Sequence, residues 1–212
     1  MYVVMGGSFD PVHEGHLNTA KAIQALLDVP TVYLMPAARS PLKQTTTSDQ
    51  HRLAMLQLAI TAYPGLTIDD RELRLPPPSY TVDTLQAIRK TLGTDEPIVW
   101  IMGNDSLNHL DQWKHWQSLT DYAHLIVIQR QGFTENYSQA VADWLKARSA
   151  PDSLNRLNCT PSGQCVCVNL PPQPFSSTTI RQALIEGLHP DGLPETVWHY
   201  IQEHRLYPGT RT

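Results

Sequence analysis

Short runs of β-branched and aromatic residues alternate along this chain with segments whose apolar residues recur at helical spacing. No other feature of the sequence constrains its fold as strongly. Tyr2–Met5, Thr31–Met35, Leu66–Ile68, Ile98–Met102, Leu125–Ile128 and Cys165–Leu170 read as buried strands. Between them, Leu17–Leu27 places Leu17, Ala20, Ile23 and Leu27 at helical spacing. Ser48 can cap a helix that runs to about Ala62, with Leu53, Leu56 and Ile60 on one face. Thr81–Leu92 is a helix with Val82, Leu85, Ile88 and Leu92 inward, and Ser138–Arg148, Thr178–Glu186 and Pro194–His204 complete the set. Such alternation predicts an α/β fold: a doubly wound, Rossmann-like, mostly parallel sheet of about six strands with helices on both faces. Ligands of such sheets bind at the carboxyl ends of the strands, so the loops after strands one, two and four are where function is sought. Ala37–Thr47 reads as a long loop, residues 149–164 as an irregular connection, and Pro76-Pro77-Pro78 forbids regular structure.

The composition supports one sizeable core. Of the 212 residues, 41% are hydrophobic and 17% charged, the latter below the roughly 25% of an average soluble domain. The formal net charge is −4, without the basic surplus of a protein that grips nucleic-acid backbones. Small phosphorylated ligands need only a few local cations and backbone amides. The amino terminus has no basic leader, and no apolar run approaches the ~18 residues that span a bilayer. A cytoplasmic protein without membrane or nucleic-acid partners is expected. Cys159, Cys165 and Cys167 match no zinc framework and are expected as reduced thiols.

The strongest chemical signal lies between the first strand and the first helix, in Gly6-Gly7-Ser8-Phe9-Asp10-Pro11-Val12-His13-Glu14-Gly15-His16. Two glycines let the backbone approach a ligand closely. Exposed amides and the following helix N-terminus favour an anion. His13 and His16, three residues apart, share one side of the first helical turn. Together they make a phosphate cradle with two imidazole donors. A tight turn with surface histidines is the plainer alternative. A metal pair would need a third ligand that the sequence does not offer.

This segment resembles the HxGH signature of the nucleotidyltransferase superfamily, and its Gly-Gly-Ser-Phe-Asp-Pro-Val-His form is similar to that of bacterial nicotinate-nucleotide adenylyltransferases. Further blocks follow in the family's order. Pro36 to Lys43 resembles its proline-rich loop, and Pro78-Ser79-Tyr80-Thr81 with Asp83-Thr84 resembles the opening of its third helix. Ile101-Met102-Gly103-Asn104-Asp105-Ser106 resembles its adenosine-binding turn, and Phe175-Ser176-Ser177-Thr178-Thr179-Ile180-Arg181 its C-terminal phosphate motif. The resemblance implies one nucleotidyltransferase domain over residues 1–212, with a helical part at about 176–207 closing the ATP site. It implies an enzyme of NAD biosynthesis that transfers the adenylyl group of ATP to nicotinate mononucleotide, giving nicotinate adenine dinucleotide and pyrophosphate. Magnesium is expected to accompany ATP, with no protein ligand set for it. The oligomeric state stays open, a homodimer included.

In the implied reaction, His16 donates to the α-phosphate oxygens and His13 helps hold the triphosphate. Gly7, Ser8 and Phe9 offer backbone or hydroxyl contacts, and Lys43 closes over the phosphates from its loop. Ser177, Thr178 and Arg181 form a second anion site for the β and γ phosphates, with an ordinary helix cap as the plainer reading. Gly103 and Asp105 belong to the adenosine site, Asp105 contacting the ribose. Asp10 shapes the loop. Thr81 and the segment Asp111-Gln112-Trp113-Lys114-His115-Trp116 correspond to the acceptor pocket, with Trp113 stacked on the pyridine ring. Trp113 and Trp116 could instead anchor the segment to the core. The chain departs from the family at Lys114, where an aromatic residue is frequent, at Ala37 and at Leu42. Other readings keep the ATP site but change the acceptor to nicotinamide mononucleotide or phosphopantetheine, make the chain a non-catalytic ATP-binding module, or build a metal hydrolase on His13 and His16.

Overall fold

The computed structural model describes residues 1–38, 47–76, 78–129, 136–149 and 152–208. The strands are β1 (Tyr2–Gly7), β2 (Val32–Pro36), β3 (Leu66–Ile68), β4 (Ile98–Gly103), β5 (His124–Gln129) and β6 (Cys165–Asn169). The helices are α1 (Glu14–Leu26), α2 (Asp49–Ile60), α3 (Thr81–Leu92), α4 (Leu119–Tyr122), α5 (Gln139–Lys146), α6 (Ser153–Arg156), α7 (Ser177–Ile185) and α8 (Glu195–Glu203). The strands form one six-stranded sheet in the order β3-β2-β1-β4-β5-β6, the order of a doubly wound α/β fold. The expected fold class is therefore the observed one. Among the described residues no helix is long and apolar enough to cross a membrane.

The chain divides into two compact units. The first comprises Met1–Gly6 and Ser79–Pro172. Its strands run parallel, with Tyr2 opposite Ile98, Val99 opposite His124 and Leu125 opposite Cys165. Residues Ile98–Met102 and His124–Ile128 are buried without interruption, which is why β4 and β5 read as continuous apolar runs: strands covered on both faces do not alternate. The helix α3 turns Val82, Leu85 and Ile88 inward and ends at Gly93, whose φ of +87° suits a residue without Cβ. Leu92, expected inward, lies in that last turn and is 36% exposed. The guanidinium of Arg89 gathers the carbonyls of Glu96, Tyr122 and Pro161 at 2.6, 2.7 and 2.8 Å.

The second unit comprises Gly7–Pro78 and Gln173–Thr212. Here β2 and β3 run parallel, Val32 opposite Leu66 and Leu34 opposite Ile68. The helix α1 buries Leu17, Ala20 and Ile23 and stops at Leu26, so Leu27 is a half-buried cap residue rather than a core position. Ser48 caps α2, accepting from the His51 N–H at 3.4 Å. The buried face of α2 is not the expected one. It runs through Arg52, Met55, Leu56 and Ala59, while Leu53 and Ile60 are half-buried. The stripe is rotated because its first member is an arginine, which a count of apolar residues passes over.

Short helical turns appear where none was expected, including in the connection at residues 149–164. Asn104–Gln112 is a 3-10 helix that buries Leu107 and Leu110, and α6 lies within residues 149–164. The last two long helices start and stop one residue from the expected bounds, an ordinary uncertainty at frayed ends.

His124 in β5 is fully buried. Its Nε2 lies 2.7 Å from the Thr160 carbonyl, and its Nδ1 accepts from the Gln164 N–H at 3.1 Å. The neutral ring with the proton on Nε2 meets both needs, whereas a second proton would face the Gln164 N–H. Burial above all, with the Arg89 charge adding to it, pushes the imidazole pKa down against the opposing Thr160 bond. An unfolded histidine titrates at about 6.5, so below that pH the unfolded chain binds more protons and stability falls as acid is added. The melting temperature should therefore drop between about pH 7 and pH 5, and His124→Gln should flatten that slope. Equal slopes for the two proteins in a pH series of thermal melts would refute the assignment.

Candidate active site

The strand order reverses beside β1, and open α/β sheets take their ligands at such a point. The loop leaving β1 belongs to the second unit, and donors occupy four of its carbonyl oxygens. The Gly7 carbonyl accepts from the Ala37 N–H at 2.8 Å. The Ser8 carbonyl accepts from Arg52 at 2.6 Å. The Asp10 carbonyl accepts from Arg181 at 2.7 Å, and the Pro11 carbonyl from the Ser177 hydroxyl at 3.1 Å. In a trans peptide the N–H points opposite to the C=O of the same unit. Fixing the Gly7 and Ser8 carbonyls therefore aims the N–H groups of Ser8 and Phe9 the other way, as an anion-binding turn requires.

Phe9 has a φ of +47°, in the left-handed region. Its buried ring lies edge-on to His16 with centroids 5.0 Å apart. A Cβ on Gly7 would come within 3.0 Å of that ring, so the glycine is what lets Phe9 fold beneath the loop. His13 occupies the N-cap of α1. Its backbone N–H donates to His16 Nδ1 at 3.3 Å, and the two imidazoles stack at 3.7 Å between centroids, tilted by 31°. A Cβ on Gly15 would lie 2.9 Å from atoms of the His13 ring. The glycine between the histidines is thus what allows their stacking. Because Nδ1 of His16 accepts, the neutral ring carries its proton on Nε2, an assignment made from the hydrogen bond.

The start of α7 lies against this loop. Its N-cap is Ser176, which accepts from the Thr179 N–H at 3.1 Å. Ser177 and Thr178 are the first helical residues, and Thr178 is exposed. Arg181 reaches both the Asp10 carbonyl and the Thr178 hydroxyl, the latter at 3.3 Å. Asp10 is 3% exposed, and its carboxylate accepts from the Tyr207 hydroxyl at 2.6 Å. Burial and this carboxylate push the Tyr207 pKa up, so the phenol stays a donor. The structure therefore gathers Gly7, Ser8, Phe9, His13, His16, Ser177, Thr178 and Arg181 within one unit. Lys43 and Leu42 lie outside the described residues.

The remaining expected positions belong to the first unit. Gly103 closes β4 and caps the 3-10 helix in which Asp105 occupies the first turn. Thr81 opens α3. The Lys114 ammonium docks beside it, 2.8 and 3.0 Å from the Asp83 carboxylate and 4.9 Å above the Tyr80 ring. Trp113 is half-buried at the end of the 3-10 helix, its backbone N–H donating to the Leu110 carbonyl at 2.9 Å. Trp116 packs edge-on to Trp144 at 5.5 Å, which makes it an anchor of the segment.

Sequence reasoning missed three contributors: the ring of Phe9, Arg52 and Tyr207. Phe9 was expected to act through its backbone alone. Arg52 and Tyr207 lie far along the chain from the loop, and no local pattern marks either.

Comparison with known proteins places the chain in a family. The cytidylyltransferase-like family model matches residues 4–183. A protein of Laribacter hongkongensis (strain HLHK9) named "Probable nicotinate-nucleotide adenylyltransferase" is 42% identical over 209 residues, covering 96% of this chain and 93% of that one. Its namesake from Serratia proteamaculans (strain 568) is 38% identical over 210 residues, covering 98% and 95%. Among solved structures, Plasmodium falciparum nicotinic acid mononucleotide adenylyltransferase complexed with NaAD superposes with a TM-score of 0.71 at 18% identity, covering 97% of this chain and 96% of that one. At that identity it supports the fold alone.

Tyr207→Phe deletes only the hydroxyl that meets the buried Asp10 carboxylate. A hydrogen bond to a charged group contributes about 1.5–3 kcal/mol, so urea denaturation should show a loss of that order. An unchanged midpoint would mean that the contact contributes nothing.

Proposed function

The chain belongs to the cytidylyltransferase-like family and, within it, to the nicotinate-nucleotide adenylyltransferases, and from that premise we propose how its residues carry the adenylyl group of ATP to nicotinate mononucleotide. The mononucleotide phosphate attacks the α-phosphorus of ATP, and pyrophosphate leaves. The observation that carries the assignment of roles is the stacked His13 and His16 pair beside a loop whose Gly7, Ser8, Asp10 and Pro11 carbonyls are bound by donors of the protein.

The nucleophile needs little activation. The second pKa of a phosphate monoester is about 6, so it is largely dianionic at neutral pH. What the reaction needs is the alignment of two polyanions and stabilisation of charge on the α-phosphate. The Nε2–H of His16 supplies the donor to the α-phosphate oxygens, and His13 and the N–H groups of Ser8 and Phe9 hold the triphosphate. Ser177, Thr178 and Arg181 receive the β and γ phosphates. That role has Arg181 share its donors between the phosphates and the Asp10 carbonyl, so the helical part from α7 onward closes on ATP through the loop it already touches. Lys43 completes the phosphate contacts from its own loop.

In the acceptor pocket, Thr81 and the first-turn amides of α3 meet the nicotinate carboxylate, the kind of anion that a helix N-terminus favours. Lys114 offsets the Asp83 carboxylate in that first turn, so that its charge does not oppose the nicotinate, and Trp113 stacks on the ring. Gly103 and Asp105 take the adenosine. Magnesium arrives on ATP. Apart from Asp10, which is shielded and bound by Tyr207, the polar side chains around the loop are imidazole, guanidinium and hydroxyl groups, which suit phosphate oxygens rather than the ion, so triphosphate oxygens and water would hold it. The cytoplasmic ATP pool is the proposed setting.

A pyrophosphate-release assay tests the reading. Turnover should be highest with nicotinate mononucleotide, lower with nicotinamide mononucleotide and absent with phosphopantetheine. His16→Ala should lower kcat by about 10²–10³, the usual loss of one preorganised donor to a transition-state oxyanion, while thermal melting stays near that of the parent. Undiminished turnover in His16→Ala would remove that ring from the mechanism, and a preference for phosphopantetheine would replace the acceptor.

A further inference from the structure

Arg52 is fully buried, a rare place for a guanidinium. It is the first inward residue of α2. One terminal nitrogen donates to the Ser8 carbonyl at 2.6 Å. The other donates to the Ala37 carbonyl and to the Asp49 carboxylate, both at 2.7 Å. Ala37 in turn donates its own N–H to the Gly7 carbonyl at 2.8 Å. A single planar group therefore ties together the chain leaving β1 and the chain leaving β2, through one carbonyl on each terminal nitrogen of its fork. Asp49 is 42% exposed, so its charge is partly screened by water, and burying the cation gains little from that pair alone. A leucine or methionine would fill the same space without burying a charge. What neither could do is hold two backbone oxygens at a fixed spacing.

We propose that Arg52 is a positioning residue for adenylyl transfer: it holds the Ser8 and Ala37 carbonyls away from the ligand so that the Phe9 N–H, in the same peptide unit as the Ser8 carbonyl, is aimed at the triphosphate. Arg52 never touches substrate. Its cation sits behind the loop and polarises that peptide unit, which strengthens the N–H as a donor. A lysine at this place keeps the charge but is a point donor without the fork. The proposal rests on the phosphate-binding reading of the loop.

The test uses the full chain and the pyrophosphate-release assay with nicotinate mononucleotide. Arg52→Lys should lower kcat by about tenfold or more, as loss of alignment does, with a KM for nicotinate mononucleotide within about twofold of the parent. Arg52→Ala leaves a guanidinium-sized space, so ethylguanidinium should restore at least part of its turnover, whereas sodium chloride at equal ionic strength should not. Should Arg52→Ala fail to fold, Arg52→Lys alone decides. Parental kcat in Arg52→Lys would overturn the proposal. So would a loss that only tracks the unfolded fraction in thermal melts and is untouched by ethylguanidinium. Parent protein that releases no pyrophosphate with any acceptor would overturn the functional reading, and the role of Arg52 with it. An active parent matched by Arg52→Lys would overturn the role of Arg52 alone.

Discussion

A loop can offer its N–H groups to a polyanion only if its carbonyl oxygens are occupied elsewhere, because oxygens that face a phosphate repel it. The turn after β1 meets this constraint with donors drawn from distant parts of the sequence. Ala37 takes the Gly7 oxygen, Arg52 that of Ser8, Arg181 that of Asp10, and Ser177 that of Pro11. The Asp10 side chain, the one negative group within the turn itself, is shielded and bound by Tyr207. Once these bonds are made, the Gly7 and Ser8 oxygens are engaged within the protein and the Ser8 and Phe9 amides point the other way.

The same device recurs in the first unit with no ligand in view. Arg89 collects the carbonyls of Glu96, Tyr122 and Pro161, in the segments that lead into β4, β5 and β6. Arginine suits both tasks because its fork presents several donors in one plane and keeps its charge when buried. The cost of burial is offset by carbonyl dipoles rather than by a carboxylate alone. Such bonds link segments far apart in the chain, and so they specify how loops sit without any requirement on the loop's own residue types.

That explains what could be read in advance. The six strands, the α/β class and the Ser48 cap rest on local rules, namely apolar periodicity and capping chemistry, and all were legible. The glycines of the first loop were legible as well, and the structure supplies their reasons: Phe9 beneath Gly7, and the His13 ring beside Gly15. The buried face of α2 was not, since its stripe begins with Arg52 and the expected Leu53 and Ile60 are only half-buried. Tyr207 sits close to the carboxyl end and bonds Asp10 near the amino end, a pairing across almost the whole sequence that no window detects. The 3-10 helix at Asn104–Gln112 was not expected, because tightly wound turns leave no 3.6-residue period.

The central claim is that amides at Ser8 and Phe9, with the Nε2–H of His16, form one anion-binding surface. Nitrogen-15 nuclear magnetic resonance during an ATP titration examines it most directly. The account predicts that both amide resonances and the His16 ring nitrogen shift together along one saturation curve. ATP that binds while leaving those three signals in place would contradict it.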